Sequence, residues 1–176
     1  NFTILQGTEV NIRDNGTVDM KDSVLKEFDI VLAAIHSGFK NSKEKITQRL
    51  AKAMENKHVD IIAHPFGRLI NTRPAYEMDF DKILEKAKET NTILEINAYP
   101  ERLDLSDINV RAAIKAGVKL SIGTDAHEAN ELRYYKLGIA TARRGWAEKK
   151  NIINAYPLKE MMNMIIATTL YLGRMD

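Results

Sequence analysis

The chain contains no cysteine, which excludes disulfides and thiolate nucleophiles and leaves only nitrogen and oxygen donors for any cation. No apolar run approaches the roughly 18–20 residues that a membrane span needs, and the first residues carry no secretory pattern. A cytoplasmic setting without a membrane partner is therefore expected. Charge of one sign is scarce too: 26 basic against 24 acidic residues leave a net +2, unlike the concentrated basic surface of a nucleic-acid module. Arg143-Arg144 with Lys149-Lys150 is the local exception, either a basic contact surface or a solvated charged face. There is no glycine-rich phosphate loop, no Ser-His-Asp arrangement, no low-complexity segment and no internal repeat.

At 176 residues with 44% hydrophobic content, residues 1–176 form one domain long enough to bury a core. Apolar runs of strand length alternate with segments of helical period. Strands are expected over Phe2–Ile12, Asp29–Ile35, Val59–Ala63, Thr92–Ile96 and Val118–Ile122, with a sixth over Leu137–Ala142. Helices are expected over Ser42–Asn56, Met78–Thr90, Asp107–Ala116 and Leu158–Leu172, the third ended by Gly117 and the last begun by Pro157. Strand and helix in alternation specify a parallel sheet with crossover helices, a barrel or an open α/β fold. Sites in such folds form at the carboxyl ends of the strands.

The chain has only four histidines, and three of them end apolar runs. His36 closes Ile30-Val31-Leu32-Ala33-Ala34-Ile35, His64 closes Ile61-Ile62-Ala63, and His127 follows Ser121-Ile122-Gly123-Thr124-Asp125-Ala126. Each is a metal ligand or proton carrier at a strand end, or else a histidine satisfied in the core. Pro65 pushes His64 toward an extended backbone. Asp125 and His127 suit two ligands on one side of an extended segment, or a turn carboxylate beside an exposed imidazole. Glu9 and Glu95 lie inside strand-like runs, where a carboxylate is costly to bury unless paired or bound to a cation. The alternative for both is the polar face of a strand, and Asn97 is a polar neighbour for Glu95. Arg68 either clamps a phosphate bidentately or pairs with Glu77. Trp146 stacks on a base or packs at the domain edge. His58, in a polar turn, is expected at the surface. Imidazoles and carboxylates without sulfur suit Zn²⁺, Mn²⁺ or Fe, and neighbouring ions of this kind suit phosphate-ester hydrolysis.

The ordered set Gly7-Thr8-Glu9-Val10, Ala34-Ile35-His36-Ser37, Ala63-His64-Pro65-Phe66-Gly67-Arg68, Leu94-Glu95-Ile96-Asn97 and Gly123-Thr124-Asp125-Ala126-His127 resembles the PHP (polymerase and histidinol phosphatase) domain. Asp104-Leu105-Ser106-Asp107, Gly117-Val118-Lys119-Leu120 and Ala142-Arg143-Arg144-Gly145-Trp146 resemble more specifically the PHP domain of bacterial and archaeal family X DNA polymerases. The resemblance implies a distorted (βα)7 TIM-like barrel with up to three divalent ions, Mn²⁺ or Zn²⁺ or Fe, at its strand ends. It implies that Glu9 bridges two metals, that His36 and His64 complete one shell, and that Asp125 and His127 serve the other two. Glu95 and Asn97 are implied as supporting residues, and Arg68, Arg143 and Arg144 as phosphate or DNA contacts. The implied activity is metal-dependent 3′-5′ exonuclease or DNA-end processing, with a polymerase domain on the same full-length chain. Alternatives are a histidinol-phosphatase-like enzyme acting on a small phosphate ester, and a non-catalytic module that positions DNA. The family's opening His-x-His strand and its next ligands have no counterpart here. The expectation is the later part of the barrel, lacking its first strands, with Glu9, His36 and His64 as the one complete ligand set.

Overall fold

The structure, a computed structural model, describes residues 2–171, and the side chains of residues 2–165. Its centre is a five-stranded parallel sheet in the order β1-β2-β3-β4-β5, formed by β1 (Gly7–Asn11), β2 (Ile30–Ala34), β3 (Ile61–Ile62), β4 (Ile93–Asn97) and β5 (Leu120–Gly123). Neighbours in space are neighbours in sequence, so the sheet winds in one direction and has no point where the strand order reverses. The helices are α1 (Asp22–Leu25), α2 (Lys43–Met54), α3 (Phe80–Thr90), α4 (Asp107–Ala116), α5 (Tyr135–Arg144) and α6 (Leu158–Tyr171).

The register sorts side chains onto two faces, because alternate residues of a strand point to opposite sides. Val10, Val31, Ala33, Ile62, Leu94, Ile96 and Leu120 share a core with Ile46, Leu50 and Met54 of α2, Ile83 and Leu84 of α3, and Val110 and Ala113 of α4. The other face is divided along its length. Near the strand starts, Ile61 and Ile93 pack with Ile153 and Ile165, flanked by Ile30, Leu32 and Met161. Nearer the strand ends the same face carries Glu9, Asn11, Glu95 and Asn97, paired across the sheet through Glu9–Leu32, Glu95–Ser121 and Asn97–Gly123. A polar floor at the carboxyl end of the sheet is thus built into the strand sequences.

The helices start and stop where capping chemistry requires. Ser42 Oγ, Asp79 Oδ1 and Ser106 Oγ accept from Lys45, Lys82 and Asn109 N–H respectively, satisfying donors that a helix leaves free. Gly117, at φ 84°, ends α4 in the left-handed conformation open to glycine.

Five expectations are corrected, four of them here and the fifth, at His64, with the site. Leu137–Ala142 is not a strand but the middle of α5. Gly138 explains the change: a Cβ there would lie 2.5 Å from Ile122 Cγ2, so the missing side chain lets a helix close onto β5. Phe2 and Ile4 are not in β1, which begins at Gly7; both are exposed. His58 is buried, because Asn56 Oδ1 accepts its backbone N–H and turns the chain directly into the core at Val59. Asp125 does not continue an extended segment, since its φ is 53°. The last expected helix is present as α6, and its expected final residue, Leu172, lies outside the described residues.

Candidate metal centre

β1, β2 and β3 are adjacent, and they bring Glu9, His36 and His64 together. His36 stands two residues beyond β2 and His64 two beyond β3, so both rings emerge above the sheet. The extended backbone expected at His64 is not found: its φ is 30°, because Glu95 Oε2 accepts its N–H and the Gly67 N–H closes a turn onto its carbonyl. Glu9 Oε1 lies 3.0 Å from His36 Nε2 and 3.2 Å from His64 Nε2. The two rings meet edge to face, 5.3 Å between centroids. One donor atom from each residue lies within 4.8 Å of the other two.

Burial opposes charge on Glu9, but its contacts with the two imidazoles, His36 and His64, outweigh it and hold the carboxyl well below the usual range. Burial likewise opposes charge on His64, yet the Glu9 bond raises its pKa above the ordinary value. His64 Nδ1 is buried without a partner. Two imidazoles and one carboxylate converging on one point make a nitrogen and oxygen donor set of the kind that Zn²⁺, Mn²⁺ or Fe takes. The residues present fit one divalent ion.

A second layer ties this group to the remaining strand ends. Glu95 is buried, and its Oε2 accepts from the backbone N–H of His64 at 2.8 Å and from Asn97 Nδ2 at 3.3 Å. Asn97 Nδ2 also reaches Asp125 Oδ2 at 3.2 Å, where Arg102 Nε donates at 3.1 Å. Asp104 Oδ2 accepts from Phe66 N–H, fixing the segment after His64. Gly123 is required in this layer, since a Cβ there would lie 2.0 Å from Glu95 Oε1. Asp125 is therefore linked to His64 through Asn97 and Glu95 but stands outside the three-residue group. His127 is exposed, with Nδ1 2.8 Å from the carbonyl oxygen of Asp125.

The arginines are placed differently. Arg68 Nε donates to the Arg102 carbonyl at 2.6 Å, and its Nη2 donates to that of Leu103. No Arg68–Glu77 ion pair is found among the described residues. Arg144 pairs with Asp107 at 2.9 Å, and Arg143 is exposed. Arg68 and Arg144 both line a cleft of about 320 Å³ with Leu103, Ser106 and Asp107. Trp146 is exposed, with the Arg111 guanidinium 3.7 Å above its ring. Sequence reasoning missed Asn11, Asp19 and Arg102 as neighbours of the site. Arg102 follows the strand-end segment Asn97-Ala98-Tyr99, which was the one signal for it.

Burial pushes the Glu95 carboxyl up to about 7 from an ordinary 4.5 and that of Asp104 to about 6 from 3.8. The folded protein then holds protons that the unfolded chain has released, so metal-free stability falls as pH rises through these windows. Glu95→Gln removes the wider one. Melting temperatures of the metal-free protein from pH 5 to 8 are expected to decline less steeply in the variant. A variant that declines as steeply as the unmodified protein would show that Glu95 ionises normally.

A one-way parallel sheet with imidazoles and a carboxylate gathered at its carboxyl end makes this an α/β domain with a possible metal-binding group. Among known proteins, the chain is 51% identical over 161 residues to the DNA polymerase/3′-5′ exonuclease PolX of Bacillus subtilis, covering 92% of this chain and 28% of that protein. It is 32% identical over 161 residues to a probable phosphatase of Thermoanaerobacter sp., covering 86% of this chain and 63% of that one. A probable phosphatase of Caldanaerobacter subterraneus is 36% identical over 134 residues, 70% of this chain and half of that relative. No family model matches the chain. The chain thus spans between about a quarter and two thirds of the length of these relatives. It resembles the PHP domain of family X DNA polymerases, as its motifs indicate, and these relatives are a DNA polymerase/3′-5′ exonuclease and probable phosphatases. No helix among the described residues is long and apolar enough to cross a membrane.

Proposed function

We propose that this chain is the metal-dependent phosphoesterase part of a family X polymerase-type protein and that it processes DNA 3′ ends. The observation that carries this reading is the convergence of Glu9, His36 and His64 on one point, in a chain half identical to a polymerase/3′-5′ exonuclease. The sheet is the later part of a distorted (βα)7 barrel, and a polymerase domain lies on the same full-length chain. Glu9, His36 and His64 hold one divalent cation, Mn²⁺ or Zn²⁺ or Fe. Asp125 and His127 contribute to further ions, up to three in the intact domain. A cation held there supplies Lewis acidity toward a phosphoryl oxygen and makes water a stronger acid.

The remaining residues position this group. Glu95 fixes the backbone of His64, Asn97 joins Glu95 to Asp125, and Arg102 neutralises Asp125. Arg68 and Arg144 bring guanidinium groups to the cleft beside the 102–107 segment, where they meet the phosphates of an extended strand. Arg143 adds to the same charge. Cleft contacts of this kind bind ground state and transition state alike, so their loss raises KM with little change in kcat.

The test is Mn²⁺-dependent release of nucleotides from 3′-labelled single-stranded DNA by the full-length protein, with and without Arg68→Ala and Arg144→Ala. Each substitution is expected to raise KM for DNA roughly tenfold, about the loss of one charge-assisted hydrogen bond. Hydrolysis of a small phosphate ester should be nearly unchanged. The probable phosphatases among the relatives support a second reading, a small-molecule phosphatase. Efficient turnover of a small phosphate ester with none on DNA would establish that alternative and remove the first.

A further inference from the structure

We infer that Asn11, clamped by Asp19, is a positioning residue that fixes the His36 ring with its proton on Nδ1 and its Nε2 lone pair toward the Glu9–His64 point. The inference rests on reading Glu9, His36 and His64 as a cation site, and it adds two residues that no ligand motif includes.

The geometry begins in a small loop. β1 ends at Asn11, and the chain turns back at Gly16, whose φ of 81° suits glycine. Ile12 and Val18 bridge antiparallel, and Arg13 N–H donates to the Thr17 carbonyl at 2.8 Å. Asp19 therefore returns beside Asn11, and the two residues close the neck of the loop. Asp19 N–H donates to the Asn11 carbonyl at 3.0 Å. Asn11 N–H donates to Asp19 Oδ1 at 2.9 Å, and Asn11 Nδ2 donates to Asp19 Oδ2 at 2.6 Å.

The last bond decides the chemistry. A carboxylate only accepts, so the amide nitrogen of Asn11 must face Asp19 and its Oδ1 must face away. Oδ1 then lies 2.6 Å from His36 Nδ1. Since an amide oxygen also only accepts, Nδ1 of His36 carries the hydrogen. In the neutral ring this leaves Nε2 as a lone pair, 3.0 Å from Glu9 Oε1. Two acceptors at that separation repel unless a positive charge stands with them. The Asp19–Asn11–His36 chain thus turns the second imidazole of the site into a ready ligand. Hydrogen bonds to the outer nitrogen of a ligating histidine set its tautomer and typically change metal affinity by about 10–100-fold.

Asn11 and Asp19 are both exposed, so replacing them empties no core. The experiment is nitrogen NMR of the His36 ring in metal-free full-length protein at pH 8.5, together with Zn²⁺ affinity by calorimetry. In the unmodified protein the His36 signals should be those of a single Nδ1–H tautomer. Asn11→Ala should give a tautomer mixture and weaken Zn²⁺ binding about 10–100-fold, with an unchanged melting temperature. The double substitution Asn11→Asp with Asp19→Asn keeps an acceptor toward His36 and a donor within the pair, and should restore both readings. An Nδ1–H tautomer and Zn²⁺ affinity that survive Asn11→Ala would overturn the inference. Absence of Zn²⁺ binding to the unmodified protein would instead overturn the cation reading, while the tautomer measurement would still decide the role of Asn11.

Discussion

Glu9→Gln is expected to abolish metal-dependent hydrolysis while leaving the fold intact. The substitution keeps the shape of the side chain and removes the one negative charge at the meeting point of two imidazoles. Glu9 Oε1 is the atom both rings share, at 3.0 and 3.2 Å, so no neighbouring group takes over its part. Mn²⁺ affinity should fall by at least roughly 100-fold, beyond the range seen when only a supporting partner of a ligand is lost. Hydrolysis should fall by about 1,000-fold or more, because the cation is the source of the acidity and charge stabilisation that the reaction needs. Glu9 is about one-third exposed on an edge strand, so the circular-dichroism spectrum should not change. Calorimetry with Mn²⁺ and the DNA assay check the two losses, and a variant with unmodified affinity and rate would remove Glu9 from the site.

The second large effect belongs to a residue with no chemistry of its own. Arg49 lies on α2 with its side chain only 1% exposed, and Nε, Nη1 and Nη2 donate to the carbonyls of Arg13, Ser37 and Ile12. These carbonyls sit in the chain as it leaves β1 and β2, one of them directly after His36. Arg49→Leu keeps apolar contacts, takes the guanidinium donors from the Ile12 and Ser37 carbonyls, and leaves the Arg13 carbonyl with the Gly16 N–H alone. Unsatisfied buried polar groups cost about 1–3 kcal/mol each, and a loss of about 4 kcal/mol is expected after partial relaxation. For a chain of this size that is a fall of roughly 8–16 °C in melting temperature. Metal affinity should fall with it, since Ser37 would no longer be held beside the His36 ring. Calorimetric melting and Mn²⁺ titration check both effects. A melting temperature within 2 °C of the unmodified protein would mean that the two strand exits are held by something else.

Much of this centre was legible in the sequence because strand ends announce themselves. His36 and His64 stand where apolar runs stop, and Glu9 is a carboxylate inside a run that otherwise has no use for one. The four strands after β1 were placed within two residues, and the three capped helices, expected from Ser42, Met78 and Asp107, begin at Lys43, Phe80 and Asp107. What escaped depends on approach in space. Asp19 meets Asn11 because of a loop neck, and Arg102 meets Asp125 from 23 residues away; polar residues of these types look the same on any surface. Leu137–Ala142 reads as a strand from its apolar content, and only the contact of Gly138 with Ile122 and Ala98 requires a helix. His58 reads as exposed from its polar neighbours, but Val59 and Asp60 are already buried, so the chain has entered the core before its composition changes.

The central claim is that Glu9, His36 and His64 hold a divalent cation, and it is tested most directly by anomalous diffraction from crystals grown with Zn²⁺ or Mn²⁺. The account predicts a peak bonded to Glu9 Oε1, His36 Nε2 and His64 Nε2 at about 2.0–2.2 Å, absent from crystals of His64→Ala. A peak elsewhere, or none between these three atoms at saturating metal, would contradict it.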